Sequence, residues 1–292
     1  MNLKNNENTI AFILVASVLI LTSFLWFAFQ DANGNPPLEK EAYTIEKKWK
    51  MPEELDEISG ITWADENQLA CIQDEDGIIF IYNLISNNVV KTVKFSKSGD
   101  YEGIAIIDST AFVLRSDGKL FEIANYRSDE FYVKTYDTPF SGKNNMESLT
   151  PDKENNRLLL IPKDKGLESK DYLGIYAFNL ETKQIEKNPL VKIKRKNSIF
   201  ENNKKGDDKK SSFKIHPADV AINPMNGNIY IVDGKNRKLM ILDSKGTTVK
   251  LYDLHKKTFN QPEGIIFSQD GSMYISNEGK NGTANILEVE LN

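Results

Sequence analysis

Residues 219–253 read DVAINPMNGNIYIVDGKNRKLMILDSKGTTVKLYD, and the architecture follows from this one stretch. Val220 to Ile222 is a short β-prone run that stops at Asn223-Pro224-Met225-Asn226-Gly227, a cluster of turn formers. Ile229 to Val232 resumes the apolar pattern, and Asp233-Gly234-Lys235-Asn236 breaks it again. Lys238 to Leu242 follows, then the turn Asp243-Ser244-Lys245-Gly246, then Thr248 to Tyr252. Four short strands joined by tight turns predict a four-stranded antiparallel sheet.

The opening of this stretch recurs. Ser59-Gly60-Ile61, Glu102-Gly103-Ile104, Glu147-Ser148-Leu149, Asp219-Val220-Ala221 and Glu263-Gly264-Ile265 each set a small or acidic residue ahead of an apolar run, at steps of 43, 45, 72 and 44 residues. A period near 45 with several short strands per repeat is the pattern of β-propeller blades. The expected fold is therefore all-β, a single propeller of five blades over residues 43–292. Six blades would require the 72-residue step to hide a degenerate one. That step already holds a four-strand pattern from Glu147 to about Ile193, and its surplus, 194–215, has almost no strand character. The repeat that opens at Glu263 has room for three strands before Asn292. The alternating run 43–51 (YTIEKKWKM) is the expected donor of the fourth, which would close the ring and cover an exposed sheet edge.

Composition narrows the function. The formal net charge is −5, so nothing global points to a nucleic acid partner. Cys71 is the single cysteine, which excludes an intrachain disulfide and a cysteine metal site, and its apolar neighbours predict a buried thiol. His216 and His255 are the only histidines, too few for a histidine-rich metal centre. Thr9 to Phe29 (TIAFILVASVLILTSFLWFAF) carries no charge over 21 residues, enough at about 1.5 Å per residue to cross a bilayer core of about 30 Å. It predicts an uncleaved transmembrane helix over 9–29, with a cytoplasmic tail 1–8 and a Pro-containing linker 30–42. Lys4 lies before it while Asp31 and Glu39 lie after it, which places the propeller outside the plasma or inner membrane, facing periplasm or exterior. A cleaved signal peptide is the competing reading. Between Lys192 and Lys214 nine Lys or Arg stand against three acids. This insertion reads as a solvated loop or as a patch for anionic lipid or polysaccharide.

The repeat also predicts where chemistry would sit. In each blade the first strand lines the channel and the second returns beside it. The start of the one and the end of the other then share a face. This gathers Glu57, Ser59, Glu102, Glu147, Asp219 and Glu263 with Asp74, Glu75, Asp76, Asp117, Asp164, Asp233, Asn277 and Glu278, and brings Arg115 and Lys163 among them. So many carboxylates around a narrow channel cannot all be ionised and unpaired. Three solutions are expected: Arg115 and Lys163 neutralise part of the ring, some acids bond backbone N–H groups, or a hard cation binds. Oxygen ligands favour Ca²⁺ or Mg²⁺ over Zn²⁺. The candidate metal ligands are Glu57, Glu102, Glu147, Asp219, Glu263, Asp233 and Asn277. Gly-x-Ser-x-Gly, His-Glu-x-x-His and a Gly-rich phosphate loop are absent. His216, ahead of Pro217-Ala218-Asp219, is the one candidate general base; a structural role beside the turn proline is the alternative.

Glu57-Ile58-Ser59-Gly60-Ile61-Thr62-Trp63, Tyr101-Glu102-Gly103-Ile104-Ala105 and Pro262-Glu263-Gly264-Ile265 with Gly271-Ser272-Met273-Tyr274-Ile275 resemble the SdiA-regulated family of bacterial propellers. The resemblance implies an envelope protein with an N-terminal hydrophobic segment and no settled activity. The Glu-Gly-hydrophobic start is also similar to gluconolactonase and paraoxonase-like propellers, where a glutamate at this position helps hold a divalent cation. That likeness maps the cation glutamate onto Glu102, Glu147 and Glu263, with Asp233 and Asn277 where such enzymes place further ligands. This chain repeats the motif in several blades and lacks a catalytic histidine pair, a departure that weighs against hydrolase activity. The expected function is a membrane-anchored binding or scaffold module of the cell envelope, with a protein, glycan or small-molecule ligand. The alternative is a divalent-cation-dependent hydrolase of a lactone, ester or phosphoester.

Overall fold

A computed structural model describes residues 42–292 apart from 170, 187, 195–200, 203–210, 213–214 and 281. The expected tail 1–8, the membrane segment 9–29 and nearly all of the linker 30–42 lie outside the described residues. None of the described helices is long and apolar enough to cross a membrane.

Residues 43–292 form one compact unit built on five antiparallel blade sheets. β1 (Tyr43–Lys50) is set aside for the last of them. The first blade is β2 (Ile58–Asp65), β3 (Gln68–Gln73), β4 (Ile78–Asn83) and β5 (Asn88–Lys94). The second is β6 (Tyr101–Ile107), β7 (Thr110–Arg115), β8 (Leu120–Ala124) and β9 (Tyr132–Tyr136). The third is β10 (Met146–Asp152), β11 (Arg157–Pro162) and β12 (Tyr172–Asn179), and its outer strand is divided. β13 (Gln184–Ile185) pairs one end of β12, while β14 (Val191–Lys194) pairs the other. The insertion that follows, expected to lack strand character, contains a two-residue ladder between β15 (Glu201–Asn202) and β16 (Ser211–Ser212). It forms no sixth blade among the described residues.

The fourth blade is β17 (Pro217–Ile222), β18 (Ile229–Asp233), β19 (Lys238–Leu242) and β20 (Thr248–Asp253). The fifth is β21 (Pro262–Phe267), β22 (Met273–Asn277) and β23 (Asn285–Leu291), completed by β1. β1 pairs β23 from Tyr43↔Leu291 to Lys50↔Asn285, so first and last strands of the unit close the ring as expected.

Each gap between neighbouring blades holds its own hydrophobic cluster, five among the described residues. Strand alternation explains how one sheet feeds two gaps. On β3, Leu69 and Cys71 enter the gap shared with the fifth blade, while Ala70 and Ile72 enter the gap shared with the second. On β11, Leu158 and Leu160 face the second blade, and Leu159 and Ile161 face the fourth. A strand buried on both faces must be a continuous apolar run. That is why the second strand of each blade reads so clearly. Cys71 is fully buried in the closing gap, and burial pushes its thiol pKa up, as its apolar neighbours predicted.

The closing gap also shows why the donor strand carries a tryptophan. Trp49 is 4% exposed, packs against Tyr274 of its own blade and donates its indole N–H to the Leu84 carbonyl of the first blade at 2.9 Å. Inner strands approach one another closely through their glycines. A Cβ on Gly103 would lie 2.7 Å from the Leu149 nitrogen, and one on Gly60 3.1 Å from the Glu102 oxygen.

Candidate functional site at the channel mouth

The inner strand of every blade opens with an irregularity. Register shifts fall between Tyr101 and Gly103, Met146 and Ser148, Pro217 and Asp219, and Pro262 and Gly264, with a wider one between Ile58 and Ile61. A bulge puts an extra residue on one strand and re-aims its side chain. The extra residues are Glu102, Glu147, Ala218 and Glu263, and Ser59 falls at the matching place in the first blade. Ser59, Glu102, Glu147, Ala218 and Glu263 are thus structural equivalents.

This corrects the alignment of the fourth blade. Asp219 was expected beside the glutamates, but its register partner Val232 makes it the counterpart of Gly103, Ser148 and Gly264. Its carboxylate accepts the backbone N–H of Val220 at 2.8 Å and that of Ile265, on the next inner strand, at 2.9 Å. Burial pushes its pKa well above the ordinary range, the two N–H donors pull against that, and Glu263 adds to it. Asp219 therefore staples the fourth blade to the fifth.

Asp233 likewise serves the backbone. It accepts the N–H of His216 at 2.9 Å and the N–H of Asn236 at 2.8 Å, and the Asn236 side-chain amide donates to it at 2.8 Å. His216 thus sits at the mouth, half-buried, on the turn into β17. His255 lies in an exposed outer turn, where its carbonyl accepts the N–H groups of Thr258 and Phe259. Arg115 pairs with Asp117 at 2.7 Å, which raises the arginine and lowers the aspartate pKa.

The three bulge glutamates behave differently. Lys163, just past the end of β11, places Nζ 2.9 Å from Glu147 Oε2. Burial alone would lower the Lys163 pKa, but the fields of Glu147, Glu263 and Glu102 raise it. Burial raises Glu147 despite that ammonium. Glu263 is pushed up to about 8, first by burial and then by Glu147, with Lys163 pulling the other way. Its Oε1 lies beside Gly234, where a Cβ would stand 3.3 Å away. Glu102 is pushed up to about 10 by burial, then by Glu147 and Asp100. Among the described residues, the Lys163 ammonium thus faces three glutamates.

A second acidic group adjoins them at the seam of the first and fifth blades. Asp74 is raised to about 6 by burial and by Glu57, and Glu278 is raised by burial, Asp74 and Glu57 against the opposing Lys280. Asp74 Oδ1, Glu278 Oε2 and Asn277 Oδ1 are buried without a hydrogen-bond partner among the described residues. The Asn277 amide donates to Asn285 Oδ1 at 3.2 Å.

The seven candidate ligands therefore divide. Glu102, Glu147 and Glu263 come together around Lys163. Glu57 belongs with Asp74 and Glu278. Asp219 and Asp233 bond backbone N–H groups, and Asn277 faces Asn285. Among the described residues no three His, Cys, Asp or Glu side chains are disposed to hold a metal ion. Asp100 escaped the sequence reading. Its position two residues before Glu102 was the available signal.

Fold and site define a five-bladed β-propeller with a carboxylate-rich channel mouth. The chain belongs to the SdiA-regulated family, whose model matches residues 37–281. No curated protein matches it in sequence. Among solved structures it is similar to Myxococcus xanthus glutaminyl cyclase, with 14% identity over 86% of this chain and 96% of that one and a TM-score of 0.59. It is also similar to the WD40 repeats of RRP9, with 8% identity over 86% of this chain and 100% of that one and a TM-score of 0.52. At these identities the likeness is one of fold.

Proposed function

We propose that this protein is a membrane-tethered, extracytoplasmic binding module whose channel mouth takes a cation. The observation that carries the reading is that Glu102, Glu147 and Glu263 face, among the described residues, one ammonium, that of Lys163. A cation held by Glu102 and Glu263, with water completing its shell, would let both ionise, and such oxygen donors suit Ca²⁺ or Mg²⁺. The uncharged run 9–29 supports the tether. β1 starts at Tyr43 opposite Leu291, at the blade end remote from Glu263.

Thermal unfolding of residues 31–292 after EDTA treatment, with and without Ca²⁺ or Mg²⁺, tests the cation. A cation at a hundredfold excess over its Kd should add about 2.7 kcal/mol, several degrees in midpoint. Glu102→Gln with Glu263→Gln should abolish that gain. No shift at millimolar cation would sink the cation reading. Protease added to intact spheroplasts should digest the propeller, and protection would reverse the orientation.

The hydrolase alternative draws support from Glu102 alone. With a bound cation ionising it, the Glu102 carboxylate beside the Lys163 ammonium is equipped to take the proton of an attacking water. Cation-dependent turnover of a lactone, ester or phosphoester that Glu102→Gln removes would establish it. No turnover across those classes would exclude it.

A further inference from the structure

The connection from β11 to β12 differs from its counterparts. It runs nine residues, Lys163 to Asp171, where the first, second and fourth blades use four. Its first residue is the lysine of the mouth. A tight turn is ordered by the strands on both sides of it, whereas a longer connection must be ordered by contacts of its own.

Those contacts come from the turn ahead of β10. Lys163 donates its backbone N–H to the Asn145 carbonyl at 2.8 Å, and Asp164 donates to the Asn144 carbonyl at 3.1 Å. The Asn144 side-chain amide donates to the Lys165 carbonyl at 2.8 Å. Three consecutive residues are thus tied down. Asn144 is 7% exposed, and its Oδ1 accepts the Ser141 N–H at 2.8 Å and the Ser141 hydroxyl at 3.1 Å. The side chain cannot turn away without leaving buried polar groups unsatisfied. Asn145 adopts a left-handed φ of 52°, which asparagine tolerates, and the chain enters β10 from there. Met146 donates to the Ser116 carbonyl at 2.9 Å and Ser116 to the Asp100 carbonyl at 2.8 Å, which extends the tie to the segment that carries Glu102. Glu147 follows Asn144 by three residues, so one turn sets both members of the Glu147–Lys163 pair.

We infer that Asn144 is the positioning residue of the mouth: it ties the start of the connection to the turn before β10 and so holds the Lys163 ammonium against Glu147. It acts through Lys163. Its consequence for a ligand rests on the cation reading above. A lysine held at 2.9 Å from Glu147 occupies that carboxylate and keeps a fixed positive charge in the field of Glu102 and Glu263. A cation entering the mouth is opposed by that charge. Released from the tie, the lysine swings into solvent, and the cation binds more tightly.

Urea unfolding of the full chain gives the coupling between Lys163→Met and Glu147→Gln, with and without Asn144→Ala. Asn144→Ala should shrink that coupling at least about tenfold as an equilibrium factor, about 1.4 kcal/mol. The coupling between Arg157→Met and Asp152→Asn, a 2.7 Å pair at the remote end of the same two strands, should stay unchanged. Asn144→Asp keeps an acceptor for Ser141 and loses the donor to Lys165. It should act like Asn144→Ala, and it replaces that variant if the alanine chain does not fold. In calorimetry with Ca²⁺, Asn144→Ala and Lys163→Met should each bind about tenfold tighter than the natural chain, again about 1.4 kcal/mol. A loss of stability with both couplings intact, or with both reduced alike, would make Asn144 a purely structural residue and overturn the proposal. Tighter Ca²⁺ binding in Lys163→Met alone would overturn it too. No Ca²⁺ binding by any of these chains would count against the cation reading instead, and the two couplings would still decide the role of Asn144.

Discussion

Asp219 of the fourth blade accepts the backbone N–H of Ile265 of the fifth at 2.9 Å, at the register position where Gly103 and Gly264 carry no side chain. A carboxylate here replaces close backbone approach as the means of joining two inner strands. Asp219→Ala leaves two buried N–H groups without partners, each costing about 1–3 kcal/mol. Urea unfolding should show a loss of at least about 2 kcal/mol, and a loss under about 0.5 kcal/mol, typical of a surface change, would refute the staple.

Lys163 and Glu147 should be strongly coupled. Removing one partner of a buried pair costs about 3–5 kcal/mol, and partial exposure of Lys163 reduces that here. Lys163→Met should therefore destabilise by about 2 kcal/mol, and Glu147→Gln in the same chain should restore most of it. A double-mutant cycle that closes with no interaction energy would contradict the pairing.

The mouth glutamates set a pH dependence. Glu263 and Glu102 have folded-state pKa values of about 8 and about 10, above the ordinary carboxyl value. The folded state then holds protons that the unfolded state releases. Their contribution is fully present below the ordinary carboxyl pKa and is lost as pH rises through about 8 and then towards about 10. In cation-free buffer the unfolding midpoint should fall from pH 5 to pH 9. Each pKa unit is worth about 1.4 kcal/mol, so Glu263→Gln should flatten the fall. A midpoint that rises over that range would contradict the assignment.

Glycine substitutions should separate close approach from open loop. A Cβ at Gly103 meets the Leu149 backbone nitrogen at 2.7 Å, whereas one at Gly142 meets nothing within 4 Å. Gly103→Ala should cost about 1–3 kcal/mol by forcing the inner strands apart. Gly142→Ala should stay within about 0.5 kcal/mol. Equal effects in chemical denaturation would rule out the tight seam.

The closure should depend on Trp49. Burial in the gap between fifth and first blades and the bond to the Leu84 carbonyl predict a loss of about 3–5 kcal/mol for Trp49→Ala. Trp49→Phe should lose less, because a ring remains. A neutral Trp49→Ala would mean that β1 is dispensable for closing the ring.

The sequence by itself determined the blades, their number and the donor strand. Turn residues, apolar runs and the short last repeat are local signals, and a strand buried on both faces advertises itself as a continuous apolar run. The 43–51 run could be recognised as the donor because only three strands follow Glu263. Tertiary structure alone decided which acids share a site. One extra residue in a bulge exchanges the faces of a strand, so Ala218, and not Asp219, takes the place of the glutamates. The meeting of Glu102, Glu147 and Glu263 around Lys163 joins residues from three different blades. No periodicity encodes such meetings, because they depend on how the blades pack around the ring.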